Sequence, residues 1–164
     1  MELSKLSNID LINHYSDTVT EMKNRGIIHS NNVLGDLGEY FAIEYYTNTL
    51  GLPKLQFAPP GTKNIDAISI RGDRYSIKSM TTNTTGAFYG IEKDAKYEDV
   101  RPVFEYLIIL KFDKDYKLEY IIELDWDNFF KHKKWHSRIQ AHNINVTKAV
   151  MDDATVIFSK DTNE

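Results

Sequence analysis

Apolar residues recur at helical spacing in the first third of the chain. Residues 1–28 carry an apolar stripe spaced by threes, formed by Leu3, Leu6, Ile9 and Ile12. This spacing predicts an N-terminal helical segment, ended by Gly26, whose stripe is a packing surface or a dimer contact. A second helix is predicted over residues 32–49, with Ser30 or Asn31 as its N-cap. Because apolar residues cover most of its circumference, we expect the second helix to be well buried.

The rest of the chain has the short apolar runs that are typical of strands. Strands are predicted at residues 65–70, 75–80, 103–112, 118–124 and 156–158. A tight turn around Gly72 joins the first two, and the most apolar run, 103–112, is the expected central strand. Asp125 is expected to cap a short helix. Helices packed against a mixed central sheet make an α/β (α+β) fold, and residues 1–164 suit a single domain.

Composition and charge restrict the functional class. The chain is 41% hydrophobic and 27% charged, as globular proteins are, and it has no run of apolar residues long enough to span a membrane. Its N-terminus lacks the basic and apolar regions of a signal peptide, so a cytoplasmic location is expected. The absence of cysteine excludes thiolate chemistry. A net charge of −4 argues against a general nucleic-acid coat protein, but it allows an enzyme with local positive charge around an acidic metal site.

One end of the predicted hairpin brings a carboxylate and an amine together. Side chains alternate along a strand, so Ser76 and Lys78 share a face, and the turn brings Asp66 level with Lys78. Phosphodiester hydrolysis needs a hard divalent cation, a positioned water and positive charge near the transition state. Asp66 and the Ile77 carbonyl can hold the cation, and Lys78 can position the water or stabilise the charge. The alternative interpretation is that Asp66 and Lys78 form only a surface salt bridge across the hairpin.

A third component is expected on the second helix. Glu39 follows Gly38 in the segment GDLGE, residues 35–39, and helical spacing puts it on one face with Asp36. Its carboxylate is either a surface charge or is aimed at something charged. Gly38 would permit close approach of another backbone or of DNA.

The order of a helix glutamate, an aspartate and an X-X-lysine strand resembles the PD-(D/E)XK nuclease superfamily. The segments PGTKNIDA (60–67) and YSIKS (75–79) resemble the active-site stretch of the PvuII-type restriction endonucleases. The resemblance implies a restriction-endonuclease-like core, an Mg²⁺ cofactor, cleavage of double-stranded DNA and a homodimer, since one site cuts one strand. By position it implies that Asp66 binds the metal and that Lys78 is the catalytic lysine.

The chain departs from the superfamily pattern at one position. The second acidic ligand would fall where the chain has Ser76, a weak and neutral ligand for a hard cation. We expect Glu39 to supply the missing charge, so the predicted metal ligands are Asp66, Glu39 and the Ile77 carbonyl. Ser76 then sits in the metal shell or orients a metal-bound water. The alternatives are a catalytically inactive DNA-binding or assembly module, and a repair or recombination nuclease that recognises DNA structure.

Two further segments have the composition of DNA contacts. Thr84 and Thr85 lie in the polar loop 81–90, whose hydroxyl and N–H groups suit phosphates and base edges. Residues 131–138 combine basic side chains with a tryptophan, as DNA-backbone contacts do. The contacts predicted there are Lys131, Lys133, Lys134, His136 and Arg138. The alternative for residues 81–90 is an ordinary polar loop, and the alternative for residues 131–138 is a solvated helix or strand edge.

Overall fold

The computed structural model describes residues 1–162, in which four α-helices accompany eight strands. The helices are α1 (Asn8–Asn24), α2 (Val33–Asn48), α3 (Trp126–His132) and α4 (Lys148–Asp153). The strands are β1 (Leu55–Phe57), β2 (Ala67–Ser69), β3 (Arg74–Met80), β4 (Tyr106–Phe112), β5 (Leu118–Asp125), β6 (Lys134–His136), β7 (Ala141–Asn143) and β8 (Thr155–Ser159). The predicted mixture of helices with a mixed sheet is confirmed. None of the helices within residues 1–162 is long and apolar enough to cross a membrane.

The chain divides into two compact units, Met1–Leu37 and Gly38–Glu164. In the first unit, helix α1 begins after Ser7, whose side chain accepts the Asp10 N–H, so the helix starts later than the apolar stripe predicted. Gly26, with φ of +70°, ends the segment as expected. No residue of α1 is buried. All of the predicted catalytic, metal and DNA-contact residues lie in the second unit.

The start of α2 is fixed by polar side chains of the first unit. Asn32 caps the helix by accepting the Gly35 N–H, one residue beyond the predicted caps. The buried Asp36 carboxylate accepts N–H groups from His29 and Ser30. Burial acts to raise the pKa of Asp36, but these hydrogen bonds outweigh it and lower the pKa. The Asp36 carboxylate therefore has a structural role, since it holds the loop before the helix.

The main sheet has six strands in the order β1-β2-β3-β4-β5-β8. The pair β3–β4 is parallel, and the other neighbouring pairs are antiparallel. Strand β4 lies inside the sheet, which confirms the central strand predicted from the most apolar run. Asp125 caps α3 by accepting the Asn128 N–H, and β8 covers the predicted last strand. The sequence analysis missed β1, β6, β7 and α4, which have three to six residues each.

Helices cover both faces of the main sheet. On one face, Tyr46 of α2 packs against Tyr75 of β3, with ring centroids 6.2 Å apart. Gly38 makes this approach close, because a Cβ at that position would overlap Oγ of Ser79. The expectation that α2 is well buried is only partly right, since its outer residue Phe41 is 43% exposed. The other face carries Ser76 and Lys78 of β3 and packs against an aromatic core that includes Phe129 of α3.

Candidate functional site

The two strands of the predicted hairpin, β2 and β3, separate at Asp66, and we call this point between Asp66 and Ile77 the fork. The ladder between β2 and β3 ends with Ala67 opposite Tyr75, and the Asp66 N–H still donates to the Tyr75 carbonyl at 2.8 Å. The next donor on β3, the Ile77 N–H, is taken by the Asp66 carboxylate, with 2.6 Å between N and Oδ2. A side chain thus replaces a strand partner at the fork. This bond holds the half-buried Asp66 carboxylate against the edge of β3.

The Ile77 carbonyl lies on the same side of β3 as the Asp66 carboxylate. In a strand, the N–H and C=O of one residue point to the same side, so the Ile77 carbonyl faces the gap that its N–H shares with Asp66. This carbonyl lies beyond the last paired residues of β2 and β3. Oδ2 of Asp66 also accepts the Ser76 hydroxyl at 3.4 Å, whereas no donor within residues 1–162 reaches Oδ1. The Asp66 Oδ1 and the Ile77 carbonyl oxygen are the candidate cation ligands at this point.

Ser76 and Lys78 lie on one face of β3, as the alternation predicts. Ser76 is fully buried, while Lys78 is only partly buried. The Lys78 Nζ sits 5.2 Å from the ring centroid of Phe88. Within residues 1–162, no ion pair of 4.0 Å or less joins Lys78 to Asp66. The expectation that Asp66 lies level with Lys78 is wrong, because Ala67 pairs with Tyr75 and the Asp66 side chain bonds to Ser76 and Ile77. The salt bridge that the hairpin alone allowed is not formed within residues 1–162.

Glu39 occupies a different layer from Lys78. It follows Gly38, which packs against Ser79, and Ser79 faces α2 on the side of β3 opposite to Lys78. Its side chain is partly buried. Sharing a cation with Asp66 requires the Glu39 carboxylate to pass the edge of β3, at the fork where no β2 residue is paired.

The oxygen atoms at the fork fit a magnesium ion that is completed by substrate. No group of three or more His, Cys, Asp or Glu side chains in residues 1–162 is placed to hold a metal by itself. Mg²⁺ commonly binds through one or two carboxylates, with waters and substrate phosphates filling its octahedron. The Asp66 carboxylate, the Ile77 carbonyl and the Ser76 hydroxyl are hard oxygen donors of the required kind.

The two threonines of the predicted DNA loop have different environments. Thr84 is exposed and pairs as an isolated bridge with Asn145. Thr85 is 6% exposed, and its hydroxyl accepts the Ile144 N–H and donates to the Gly86 carbonyl, both at 3.0 Å. The Thr85 hydroxyl therefore has both of its partners inside the protein, and a DNA contact at Thr85 stays a prediction.

The basic segment forms a separate two-stranded ribbon of β6 and β7 after α3. Lys131 is engaged by Asp153, with 2.7 Å between Nζ and Oδ2. Lys133 packs over the ring of Phe130, 4.0 Å from its centroid, and burial lowers its pKa. Lys131, Lys134, His136 and Arg138 are all exposed, whereas Lys133 is partly buried. Of the exposed four, Lys131 alone has an ion pair of 4.0 Å or less within residues 1–162.

Two residues near the site were missed by the sequence analysis. Asn64, with φ of +60°, donates its side-chain amide to the Tyr89 carbonyl at 3.0 Å. This bond joins the loop before Asp66 to the loop after β3. Phe88, which contacts Lys78, was hidden in a segment that reads as polar. The adjacent aromatic residues Phe88 and Tyr89 in a polar loop were the available signal for Phe88. The pairing of Asn64 is revealed only by the tertiary structure.

Comparison with models of known protein families and with curated proteins finds no match to the chain. Relatives therefore provide no functional residues that could be transferred to this chain. The chemistry of the fork and of the exposed ribbon is the basis for assigning a function.

Proposed function

We propose that the protein is an Mg²⁺-dependent DNA endonuclease of the restriction-endonuclease type. The observation that carries the proposal is the fork at Asp66. There, the Asp66 carboxylate accepts the Ile77 N–H, and Lys78 is the next residue of β3. Phosphodiester hydrolysis requires a cation held by oxygens next to a positively charged side chain.

Each site residue has a defined role in this proposal. Asp66, Glu39 and the Ile77 carbonyl hold the cation, which when bound polarises a phosphoryl oxygen of the substrate. Lys78 orients the attacking water and stabilises the negative charge that develops on the phosphate. The Phe88 ring beneath its amine restricts where the Lys78 side chain can point.

Ser76 is compatible with an active site because of its burial. Its side chain is fully buried, and a second carboxylate beside Asp66 would be costly there without a permanently bound cation. A hydroxyl at the same position carries no charge and can orient a water of the metal shell. Glu39 then supplies the second negative charge from α2, at the edge of the site rather than inside it.

The proposed substrate is double-stranded DNA, and the proposed active form is a homodimer. Thr84 and the exposed ribbon residues Lys134, His136 and Arg138 contact the DNA backbone or base edges. In α1, Ile9 and Tyr15 are 67% and 70% exposed, so this helix offers apolar surface to a second copy. Two copies related by a two-fold axis would place one active site on each DNA strand.

The test is digestion of plasmid and phage DNA by the purified protein in Mg²⁺. We expect discrete fragments from the wild type and none from Lys78→Ala or Glu39→Gln. Glu44→Gln is the matched control, since Glu44 is an exposed glutamate of the same helix whose carboxylate accepts the side-chain amide of Asn48 one turn later. Equal activity of the Glu39 and Glu44 variants would remove Glu39 from the site.

The second candidate function is a DNA-binding module without catalysis, and Ser76 is the observation that favours it. Such a protein would shift DNA in a gel but leave it intact in Mg²⁺ and in Mn²⁺. Branched and flap DNA included among the substrates would reveal a structure-specific nuclease. Cleavage of those substrates alone would replace the restriction-type assignment.

A further inference from the structure

The amine of Lys78 is held over an aromatic ring that no sequence motif identified. Its Nζ is 5.2 Å from the centroid of Phe88, within the range in which a ring face attracts a cation. Phe88 is 1% exposed, so its ring is shielded from solvent. A free lysine side chain has many rotamers, and a fixed ring beneath its amine restricts them.

Phe88 is itself held firmly. Its ring packs against Phe129 and Phe104, with centroids 4.8 Å and 6.1 Å away. Its backbone exchanges two hydrogen bonds with His142 of β7, at 2.8 Å and 3.3 Å. The ring position is therefore set from the core on one side and from the β6–β7 ribbon on the other.

The link continues into the basic ribbon. His142 is 2% exposed and packs edge-on against Trp135 of β6, with ring centroids 5.0 Å apart. Trp135 lies between Lys134 and His136, the exposed residues of the same strand. A displacement of the ribbon therefore reaches Phe88 through one backbone pairing and one ring contact.

We infer that Phe88 is the positioning residue for Lys78, and that the ribbon controls it through His142 and Trp135. This inference rests on the proposed function, because it gives Lys78 its catalytic role. Contact of the ribbon with DNA then holds Phe88, and so Lys78, in the geometry that cleavage requires. Phe88 acts through Lys78 and does not touch the reacting atoms.

The contact can be tested without DNA or activity. In protein carrying ¹³C-labelled lysine ε-carbons, the ring current of Phe88 should shift the Lys78 Hε resonances upfield. Phe88→Leu should abolish that shift, and Phe129→Leu, which removes a neighbouring core ring, should retain most of it. Should Phe88→Leu fail to fold, Phe88→Met removes the ring with less loss of volume. An unshifted Lys78 resonance in the wild type would overturn the inference whether or not the protein is a nuclease.

The functional consequence is measured on an active protein by single-turnover cleavage. We expect Phe88→Leu to slow cleavage about five-fold or more, as the loss of a cation–π contact implies, with DNA affinity unchanged. Phe88→Tyr, which keeps the ring face, should restore the rate. Trp135→Leu should slow cleavage beyond its effect on DNA affinity. Equal losses in Phe88→Leu and Phe129→Leu would mean that Phe88 is only a core residue.

Discussion

The Asp66 carboxylate accepts the backbone N–H of Ile77, with 2.6 Å between Oδ2 and N. One oxygen of this carboxylate thereby replaces the strand partner that β3 loses where β2 turns away. The other oxygen, Oδ1, is the one that we propose for a cation, together with the Ile77 carbonyl. Asp66 therefore has a structural task and a proposed chemical task, and substitutions can separate the two.

Asp66→Asn should retain the fold and lose metal-dependent cleavage. An amide oxygen can still accept the Ile77 N–H, so we expect unfolding free energy to fall by no more than about 1 kcal/mol. Asp66→Ala leaves that N–H without an acceptor and should cost about 1–3 kcal/mol. Urea unfolding measures the stabilities, and plasmid digestion measures the activity.

Asp73→Asn is the control for this pair, because Asp73 accepts the Ser69 hydroxyl in the turn at the other end of the hairpin. It should leave cleavage unchanged. Cleavage by Asp66→Asn at the wild-type rate would exclude Asp66 as a metal ligand.

The sequence contained enough information for the hairpin and the central strands. The apolar runs of β4 and β5 are long, and the turn at Gly72 marks the hairpin although β2 has only three residues. The alternation along β3 correctly places Ser76 and Lys78 on one face. The sequence did not contain enough information to predict the environment of the basic segment 131–138. Strands β6 and β7 have three residues each, too short for a period to be recognised, and the Asp153 that engages Lys131 lies 22 positions further along the chain.

The environment of Thr85 was also beyond what the sequence pattern could predict. A threonine in a polar loop has the composition of a DNA contact, and its burial depends on Ile144, which comes from a distant part of the chain. Periodicity predicts local elements, whereas the partner of an isolated hydroxyl is fixed only when those elements pack. Thr84, one residue earlier, remains exposed because its bridge partner Asn145 does not cover it.

Ser76→Asp should make the stability of the protein depend on magnesium. An added carboxylate would lie beside Asp66, whose Oδ2 is 3.4 Å from the present hydroxyl. Without a cation, two buried carboxylates repel each other, and we expect a loss of roughly 1–3 kcal/mol. Bound Mg²⁺ should return much of this stability by mass action. Thermal unfolding in EDTA and in saturating Mg²⁺ measures the difference.

The neutral variant Ser76→Asn is the matched control, since it adds similar volume without charge. Its melting temperature should respond to Mg²⁺ no more than that of the wild type. A melting temperature of Ser76→Asp that is the same in EDTA and in Mg²⁺ would argue that no cation binds at the fork.

The ribbon should account for part of the salt dependence of DNA binding. Lys134 is exposed and has no intramolecular ion pair within residues 1–162, so its amine is available to a phosphate. Lys134→Ala should reduce the slope of log K against log [salt] by about 0.9, as should Arg138→Ala. Lys131→Ala should change the slope less, because Asp153 already holds the Lys131 amine at 2.7 Å. Equal slopes for all three variants and the wild type would place the DNA elsewhere.

Glu123 gives a prediction about stability that is independent of the proposed function. Its part-buried carboxyl accepts the Tyr46 hydroxyl, with 2.8 Å between the oxygens. Burial raises the pKa of Glu123 above its ordinary value of 4.5, against the lowering effect of the Tyr46 hydrogen bond. The folded state therefore holds the proton more tightly than the unfolded state does. Stability from this group is present below pH 4.5 and declines as pH rises through the raised folded-state pKa.

Glu123→Gln removes this titration while keeping an oxygen that can accept the Tyr46 hydroxyl. The difference in unfolding free energy between Glu123→Gln and the wild type should therefore grow in favour of the variant as pH rises above 4.5. It should level off once the wild-type carboxyl is ionised. Urea unfolding across this pH range measures the difference, with Glu98→Gln, an exposed glutamate, as the control. A difference that stays constant with pH would mean that Glu123 has the same proton affinity in the folded and unfolded states.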